Sequence, residues 1–255
     1  MYRKKEIITL DGPSGVGKST ISRKIAATLG YTYLDTGAMY RAVGLHLKQM
    51  GVDIGDWSAV AANLDTLTIR LLPAGNELSD AGVLLNGVDV SNQIRTPEMS
   101  MLASRDEFSD AGVLLNGIDV SDQIRTPEMS MLASRVSAIP AVRAKLTEMQ
   151  RAIGSQGRLV AEGRDLGTVV FPNAAHKFFL DADIQERARR RVRQLRLHGS
   201  QADEKEILEM ICQRDRDDSE RSVAPLRKAE DAFLIDTTGI TIEEVCTRIL
   251  QRVLS

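Results

Sequence analysis

The sequence predicts an α/β protein, a mainly parallel sheet covered on both faces by helices. Three observations predict it. Short β-branched apolar runs alternate with longer stretches of helical periodicity. A glycine-rich loop falls between the first run and the first helix. The alternation breaks only once, from about residue 65 to 120. A helix between successive strands is the connection that parallel pairing requires.

The elements follow in order. Glu6–Asp11 (EIITLD) ends in a turn signal and reads as a buried strand. Lys18–Leu29 carries apolar residues at Ile21, Ile25 and Leu29, with Gly30 placed to stop a helix. Tyr31–Asp35 reads as a second strand, and Gly37–Met50 as a helix ended by Gly51. Arg158–Ala161, Lys177–Leu180 and Ala232–Ile235 read as three more buried strands. Helical stretches lie among them, including Ile184–Leu197, Lys205–Asp215 and Thr241–Leu254. Within the interruption, Leu67–Leu72 reads as a strand. Val83–Leu85 and Val88–Val90 flank Asn86-Gly87, whose residues tolerate the positive φ of a tight hairpin. The interruption is therefore a small antiparallel insert.

That insert contains a repeat. Glu77–Arg105 recurs at Glu107–Arg135 with three differences: Leu78 against Phe108, Val88 against Ile118, and Asn92 against Asp122. A repeat array keeps its core and lets its surface drift, and it needs about three units for stability. Here surface and core letters match alike in two copies, the mark of a tandem duplication with no separate role for each copy.

Composition excludes several classes. The chain has 255 residues, 43% of them hydrophobic, enough for a core of one domain with inserts. A formal net charge of −2 gives no general field for nucleic acid. Cys212 and Cys246 have neither metal-type nor redox spacing. No run reaches the roughly 18 apolar residues of a membrane span, and the basic start leads into a strand, unlike a signal peptide. A cytoplasmic, reduced protein is expected.

Gly12-Pro13-Ser14-Gly15-Val16-Gly17-Lys18-Ser19 fits G-x-x-x-x-G-K-[ST] in full, between a strand and a helix. Glycines let backbone N–H groups wrap phosphate, and the helix start adds partial positive charge. Lys18 would reach the β- and γ-phosphates, Ser19 would ligate Mg²⁺, and Thr20 follows on the first turn. A chance glycine turn would not carry all these letters in this context. The loop alone does not separate a GTPase, a motor and a small-molecule kinase, but no N-K-x-D guanine signal is present.

Arg41 lies one turn into the second helix, where a guanidinium can clamp an anion or simply face solvent. Glu162-Gly163-Arg164-Asp165 follows a buried strand, at the sheet end where open α/β folds bind ligands, although a plain turn fits too. Gln213–Leu226 (QRDRDDSERSVAPL) has the composition of a solvated helix end. Arg187–Arg196 (RARRRVRQLR) suits a solvated face, a nucleic-acid patch, or a lid that carries arginines to phosphates.

Together these segments resemble bacterial-type cytidylate kinases. The matching pieces are GPSGVGKST at 12–20, LDTGAMYR at 34–41, NGVDVS…IRTPE at 86–98 and its second copy at 116–128, ASRVSAIPAVR at 133–143, EGRDLGTVVFP at 162–172, and QRDRDDSERSVAPL at 213–226. The resemblance implies a P-loop kinase fold: three α/β/α layers, a mainly parallel five-stranded sheet, a small antiparallel acceptor-binding insert and a short helical lid. It implies a core of residues 1–64 and 144–255, with the lid around 184–200, and an insert of 65–143. It implies transfer of the γ-phosphate of ATP to CMP or dCMP. Gly12, Pro13, Ser14, Gly15, Val16, Gly17, Lys18, Ser19 and Thr20 would bind ATP. Lys18, Arg41, Arg164, Arg214 and Arg221 would carry the transfer.

On the acceptor side, Arg41 and Arg164 would hold the phosphate, and Asp165, Ser134 and Arg143 would face cytosine. Arg214, Asp218 and Arg221 would hold sugar and phosphates, with Thr36 and Arg125 also at the substrate. Ser19 would hold Mg²⁺, and Glu162 would reach it through water. A monomer working on small nucleotides, without nucleic acid or membrane, is expected. Two other functions stay open here: an ATP-binding protein whose acceptor site the duplication impairs, and a nucleic-acid-dependent NTPase using Arg187–Arg196. Because the copies are nearly identical, a hairpin from copy one can serve with a helix from copy two, so register is weakly specified.

Overall fold

A computed structural model describes residues 6–65, 67–71, 84–85, 88–89, 112–121, 123–125, 127–197 and 202–255. The chain forms two compact units, Met1–Gly37 with Ser134–Ser255, and Ala38–Ala133.

The first unit holds a five-stranded sheet. Its strands are β1 (Ile7–Asp11), β2 (Thr32–Asp35), β8 (Leu159–Gly163), β9 (His176–Asp181) and β10 (Phe233–Asp236). Their order is β10-β9-β1-β8-β2, and every pairing is parallel. The chain leaves β1 toward one edge, to β2, and later crosses β1 in the other direction between β8 and β9. That reversal makes the carboxyl end of β1 a switch point, where a crevice opens.

The core of this unit joins sheet and helix. Ile8, Leu10, Val160, Phe178 and Leu180 of the sheet pack with Ile21 and Ile25 of α1 (Lys18–Leu29). Val245 and Ile249 of the terminal helix Ile242–Leu254 complete the cluster. That helix starts with a capping box: Thr241 accepts from the Glu244 N–H, and the Glu244 carboxylate accepts from the Thr241 N–H. Pro140–Gly154, α5, begins with proline at its first position, where the missing N–H costs nothing.

The second unit contains most of α2 (Thr36–Gln49), all of α3 (Trp57–Leu64), and the antiparallel strands β3 (Ile69–Leu71), β4 (Leu84–Leu85), β5 (Val88–Asp89), β6 (Val113–Leu115) and β7 (Ile118–Asp119). The two copies of the repeat adopt different partners. The copy-two hairpin β6–β7 pairs with β3, Ile69 opposite Leu115 and Leu71 opposite Val113. The copy-one hairpin β4–β5 pairs only within itself among the described residues. The tight turn expected at Asn86-Gly87 lies outside the described residues. Its duplicate, Asn116-Gly117, has φ of 49° and 84°, and Asn116 Oδ1 accepts from the Thr68 N–H at 2.9 Å.

Covalent continuity explains why copy two takes the sheet. Its hairpin leads through a 3-10 turn, Gln123–Arg125, into α4 (Pro127–Ser137), and only this copy runs on into Val136 and α5. Val120, Ile124, Met129 and Ala133 are buried along the way. Deleting residues 78–107 removes one copy and keeps every one of these contacts. It also shortens the β3–β6 connection to roughly a quarter of its length, which should stabilise the fold by about 1 kcal/mol through cheaper loop closure. Urea melts of the two proteins check this; a shortened protein less stable than the full chain would show that copy one contributes contacts.

Candidate functional site

Residues 12–17 leave β1 and turn into α1. A side chain at Gly12 would put its Cβ 2.1 Å from the Leu180 carbonyl oxygen, and φ there is +148°, so this position requires glycine. Val16 anchors the loop in the core with no exposed surface. Lys18 opens α1 and is buried, and its ammonium donates to the carbonyls of Gly12 (2.8 Å) and Pro13 (2.5 Å). Burial holds its pKa well below the usual lysine value, aided by the cations Arg164 and Arg214. Ser19 and Thr20 are exposed at the helix start.

Two further groups hold the loop, Arg187 from the basic run and Thr237, which no sequence signal marks. Arg187, on α6 (Ile184–Leu197), donates to the Ser14 carbonyl at 3.0 Å and to Asp215 at 2.6 Å. Thr237 donates to the Val16 carbonyl and accepts from Arg190. Of the basic run 187–196, Arg187 is thus buried as a strut, whereas Arg189, Arg193 and Arg196 are exposed.

Glu162 and Asp35 stand opposite each other at the ends of β8 and β2. Glu162 is buried, and its pKa is raised by burial first and then by Asp35; Lys18, Tyr33 and Ser19 pull the other way. The Tyr33 hydroxyl donates to the Glu162 carboxylate, and Thr36 donates to the Glu162 carbonyl at 2.7 Å. Tyr33 lies two residues before Asp35 and so on the same face of β2, a period-two signal available in the sequence. A buried carboxylate beside a second one and an exposed hydroxyl at a helix start is a donor set that fits a hard divalent cation with retained waters.

From Gly163 the chain enters a π-helical turn, Leu166–Val170. Asp11, at the end of β1, accepts from the N–H groups of Leu166 (2.9 Å) and Gly167 (2.7 Å). Burial, with a smaller push from Asp165, raises its pKa to about 6 against the pull of these two donors and of Lys18. The stability Asp11 contributes is therefore complete below the ordinary carboxylate pKa and lost as pH rises through about 6. Relative to Asp11→Asn, the unmodified protein should lose about 2–3 kcal/mol between pH 4 and pH 7. Denaturant melts at intervals across that range check the sign; a difference independent of pH would contradict it.

A chain of buried charges lies beyond the π turn. Arg143 pairs with the Asp165 carboxylate and donates to the Ser137 carbonyl at 3.0 Å. Arg221 lies 3.7 Å from the other Asp165 oxygen and 3.6 Å from Asp218. Arg164 donates to Asp218 at 2.8 Å. Burial would raise the Asp218 pKa, but Arg164, Arg214 and Arg221 overcome it and hold the carboxyl below the usual range. Asp218, Arg221 and Arg214 belong to α7 (Glu204–Glu220) and its end. The charge-rich segment 213–226 is thus only partly a solvated helix end: Asp218 and the Arg221 side chain are buried.

The first unit therefore brings together Lys18, Ser134, Arg143, Glu162, Arg164, Asp165, Asp218 and Arg221 in linked contacts or one strand end. Ser134 is buried on α4, and its carbonyl accepts from Ser137. Arg41 is half-buried on α2 in the second unit. Arg125 sits in the 3-10 turn, and its side chain lies outside the described residues, as does Arg95. Among the described residues no helix is long and apolar enough to cross a membrane.

Known proteins match this sequence over nearly its whole length. The cytidylate kinase family model matches residues 8–109 and 104–255, two matches that overlap where the two copies of the repeat meet. A cytidylate kinase from Carboxydothermus hydrogenoformans is 41% identical over 244 residues, spanning 96% of this chain and 95% of that protein. One from Syntrophotalea carbinolica is 44% identical over 246 residues, spanning 96% and 90%. One from Pasteurella multocida is 40% identical over 246 residues, spanning 96% and 94%.

Proposed function

The chain belongs to the cytidylate kinase family, and from that premise we propose how its own residues divide the work. It is a nucleoside monophosphate kinase, a phosphotransferase that moves the γ-phosphate of ATP to CMP or dCMP. The observation that carries the division of roles is the line of buried charge from Arg143 through Asp165, Arg221 and Asp218 to Arg164, on the same unit as the phosphate loop. Pairing that dense is costly to bury without a purpose.

Residues 12–20 cradle the ATP phosphates, with Lys18 released from the Gly12 and Pro13 carbonyls to the incoming anion. An oxygen of the acceptor phosphate attacks the γ-phosphorus while the bond to the bridging oxygen of ADP breaks. No covalent enzyme intermediate and no general base are needed, because the acceptor phosphate is already a nucleophile. Lys18, Arg164, Arg214 and Arg221 neutralise the charge that moves between the nucleotides, and Arg41 is assigned to the acceptor phosphate. Ser19 and, through water, Glu162 would hold Mg²⁺, which would supply further charge neutralisation.

The residue range 65–143 is assigned to acceptor binding, with Thr36 and Arg125 at the substrate. Asp165 accepts from the cytosine N4 amino group, and Arg143 and Ser134 complete the base site. Uracil has no such amino donor, so a site built for it leaves a carboxylate unmatched. We assign the protein to the cytoplasm as a monomer acting on small nucleotides without nucleic acid, and the net charge of −2 supports the last point.

The test is Asp165→Asn. Its kcat/KM for CMP should fall about 10–100-fold, the worth of a charge-assisted hydrogen bond, and the advantage of CMP over UMP should narrow, with KM for ATP unchanged. An unaltered preference for CMP would remove Asp165 from the base site.

A further inference from the structure

Ser137 is the last residue of α4, and it is buried. Two of its oxygens make three hydrogen bonds. Its carbonyl accepts from Arg143 Nη1 at 3.0 Å. Its hydroxyl donates to the Ser134 carbonyl at 2.7 Å. The same hydroxyl accepts from Arg221 Nη1 at 3.2 Å.

The two arginines anchored here are the two that face Asp165. Arg143 Nη2 meets Asp165 Oδ2, and Arg221 Nη2 lies 3.7 Å from Asp165 Oδ1. One guanidinium therefore stands at each oxygen of the carboxylate. Rotation of a carboxylate about its last torsion is soft, with broad wells. A hydrogen-bonded guanidinium at one oxygen and a second at ion-pair distance from the other stiffen it, and each arginine here is held from behind by Ser137.

We propose that Ser137 is a positioning residue for base selection: through Arg143 and Arg221 it sets the plane of the Asp165 carboxylate, and through Ser134 it ties in the helix end beside it. Ser137 touches no substrate. The inference rests on the assignment of Asp165 to the cytosine amino group.

Losing the hydroxyl leaves Arg143 on the main-chain carbonyl but removes a hydrogen-bond acceptor from Arg221. Arg221 keeps its bond to the Ala224 carbonyl and its neighbour Asp218, so the side chain stays buried while its hold on Asp165 relaxes. The Ala224 carbonyl and Asp218 still hold the Arg221 guanidinium for its part in phosphate transfer, so the effect falls chiefly on the direction of the Asp165 acceptor. A geometric error of that kind costs discrimination between substrates more than turnover.

The experiment compares kcat/KM for CMP and for UMP in the unmodified enzyme, Ser137→Ala and Asp165→Asn. The CMP-to-UMP ratio does not depend on the fraction of active enzyme, so partial misfolding leaves it unchanged. Ser137→Ala is expected to lower the ratio about tenfold, by raising KM for CMP, with kcat and KM for ATP within about twofold of the unmodified enzyme. Parallel losses with CMP and UMP would assign Ser137 a structural role only and overturn the proposal. So would a ratio unchanged in Ser137→Ala but collapsed in Asp165→Asn, which leaves the base assignment standing. A ratio unchanged in Asp165→Asn would overturn the base assignment itself, and the proposal with it.

Discussion

Lys18→Ala should lower CMP-dependent ADP release about 10²–10³-fold, the usual loss when one fixed charge at the reacting centre is removed. The ammonium is buried between two carbonyls of its own loop, with Arg164 and Arg214 as like-charged neighbours. Such a cation is poorly satisfied until an anion arrives. Phosphate binding repairs that, and the gain grows as negative charge shifts toward the bridging oxygen of ADP. Removing the side chain takes this gain away while the loop keeps its glycine-determined shape. Steady-state rates measured with saturating CMP check the size of the loss. A rate within about fivefold of the unmodified enzyme would mean that Lys18 holds the loop together and does not act on phosphate.

The second large effect belongs to the pair Arg143 and Asp165, whose side chains are 5% and 7% exposed. Arg143→Met should destabilise the protein by about 3–5 kcal/mol, because it takes the closer, hydrogen-bonded guanidinium from a buried carboxylate and leaves it the longer contact to Arg221. Adding Asp165→Leu should recover most of that loss, since replacing both members of a buried pair by apolar groups is often neutral. The double variant should nevertheless have lost its preference for CMP over UMP. Urea melts and substrate kinetics on the three proteins separate the two consequences. A double variant that is as unstable as Arg143→Met would mean that the pair is needed for folding in its own right.

Local signals in the sequence and contacts between distant segments contributed unequally to the fold and the site. The strand at Ile7–Asp11, the phosphate loop and the helix stop at Gly30 each depend on neighbours a few residues away, and periodicity and glycine placement reveal them. The Asn-Gly turn is equally local, and its second copy adopts the expected positive φ. The π turn at Leu166–Val170 is different. Its β-branched letters suit a strand, and the turn is held by Asp11, far away in sequence. The same holds for Asp218 and Arg221, whose surroundings in sequence look solvated and whose partners, Arg164 and Asp165, come from another strand end. Tyr33 and Thr237 act on the site through side chains that carry no motif, and Arg187 of the basic run braces the phosphate loop through Ser14 and Asp215, partners distant in sequence. For the repeat, the sequence left the choice of copy open because the segments Val83–Leu85 and Val113–Leu115 carry the same letters. The continuation of copy two into α5 decides it.

The measurement that bears most directly on the assignment is coupled ADP release with ATP and Mg²⁺, offered CMP, dCMP, UMP or AMP in turn, for the full chain and for the chain lacking residues 78–107. Fast turnover with CMP and dCMP in both proteins is the predicted result, and it makes the first copy of the repeat a passive insertion. Absence of CMP-dependent turnover in both would contradict the assignment of a cytidylate kinase to this sequence.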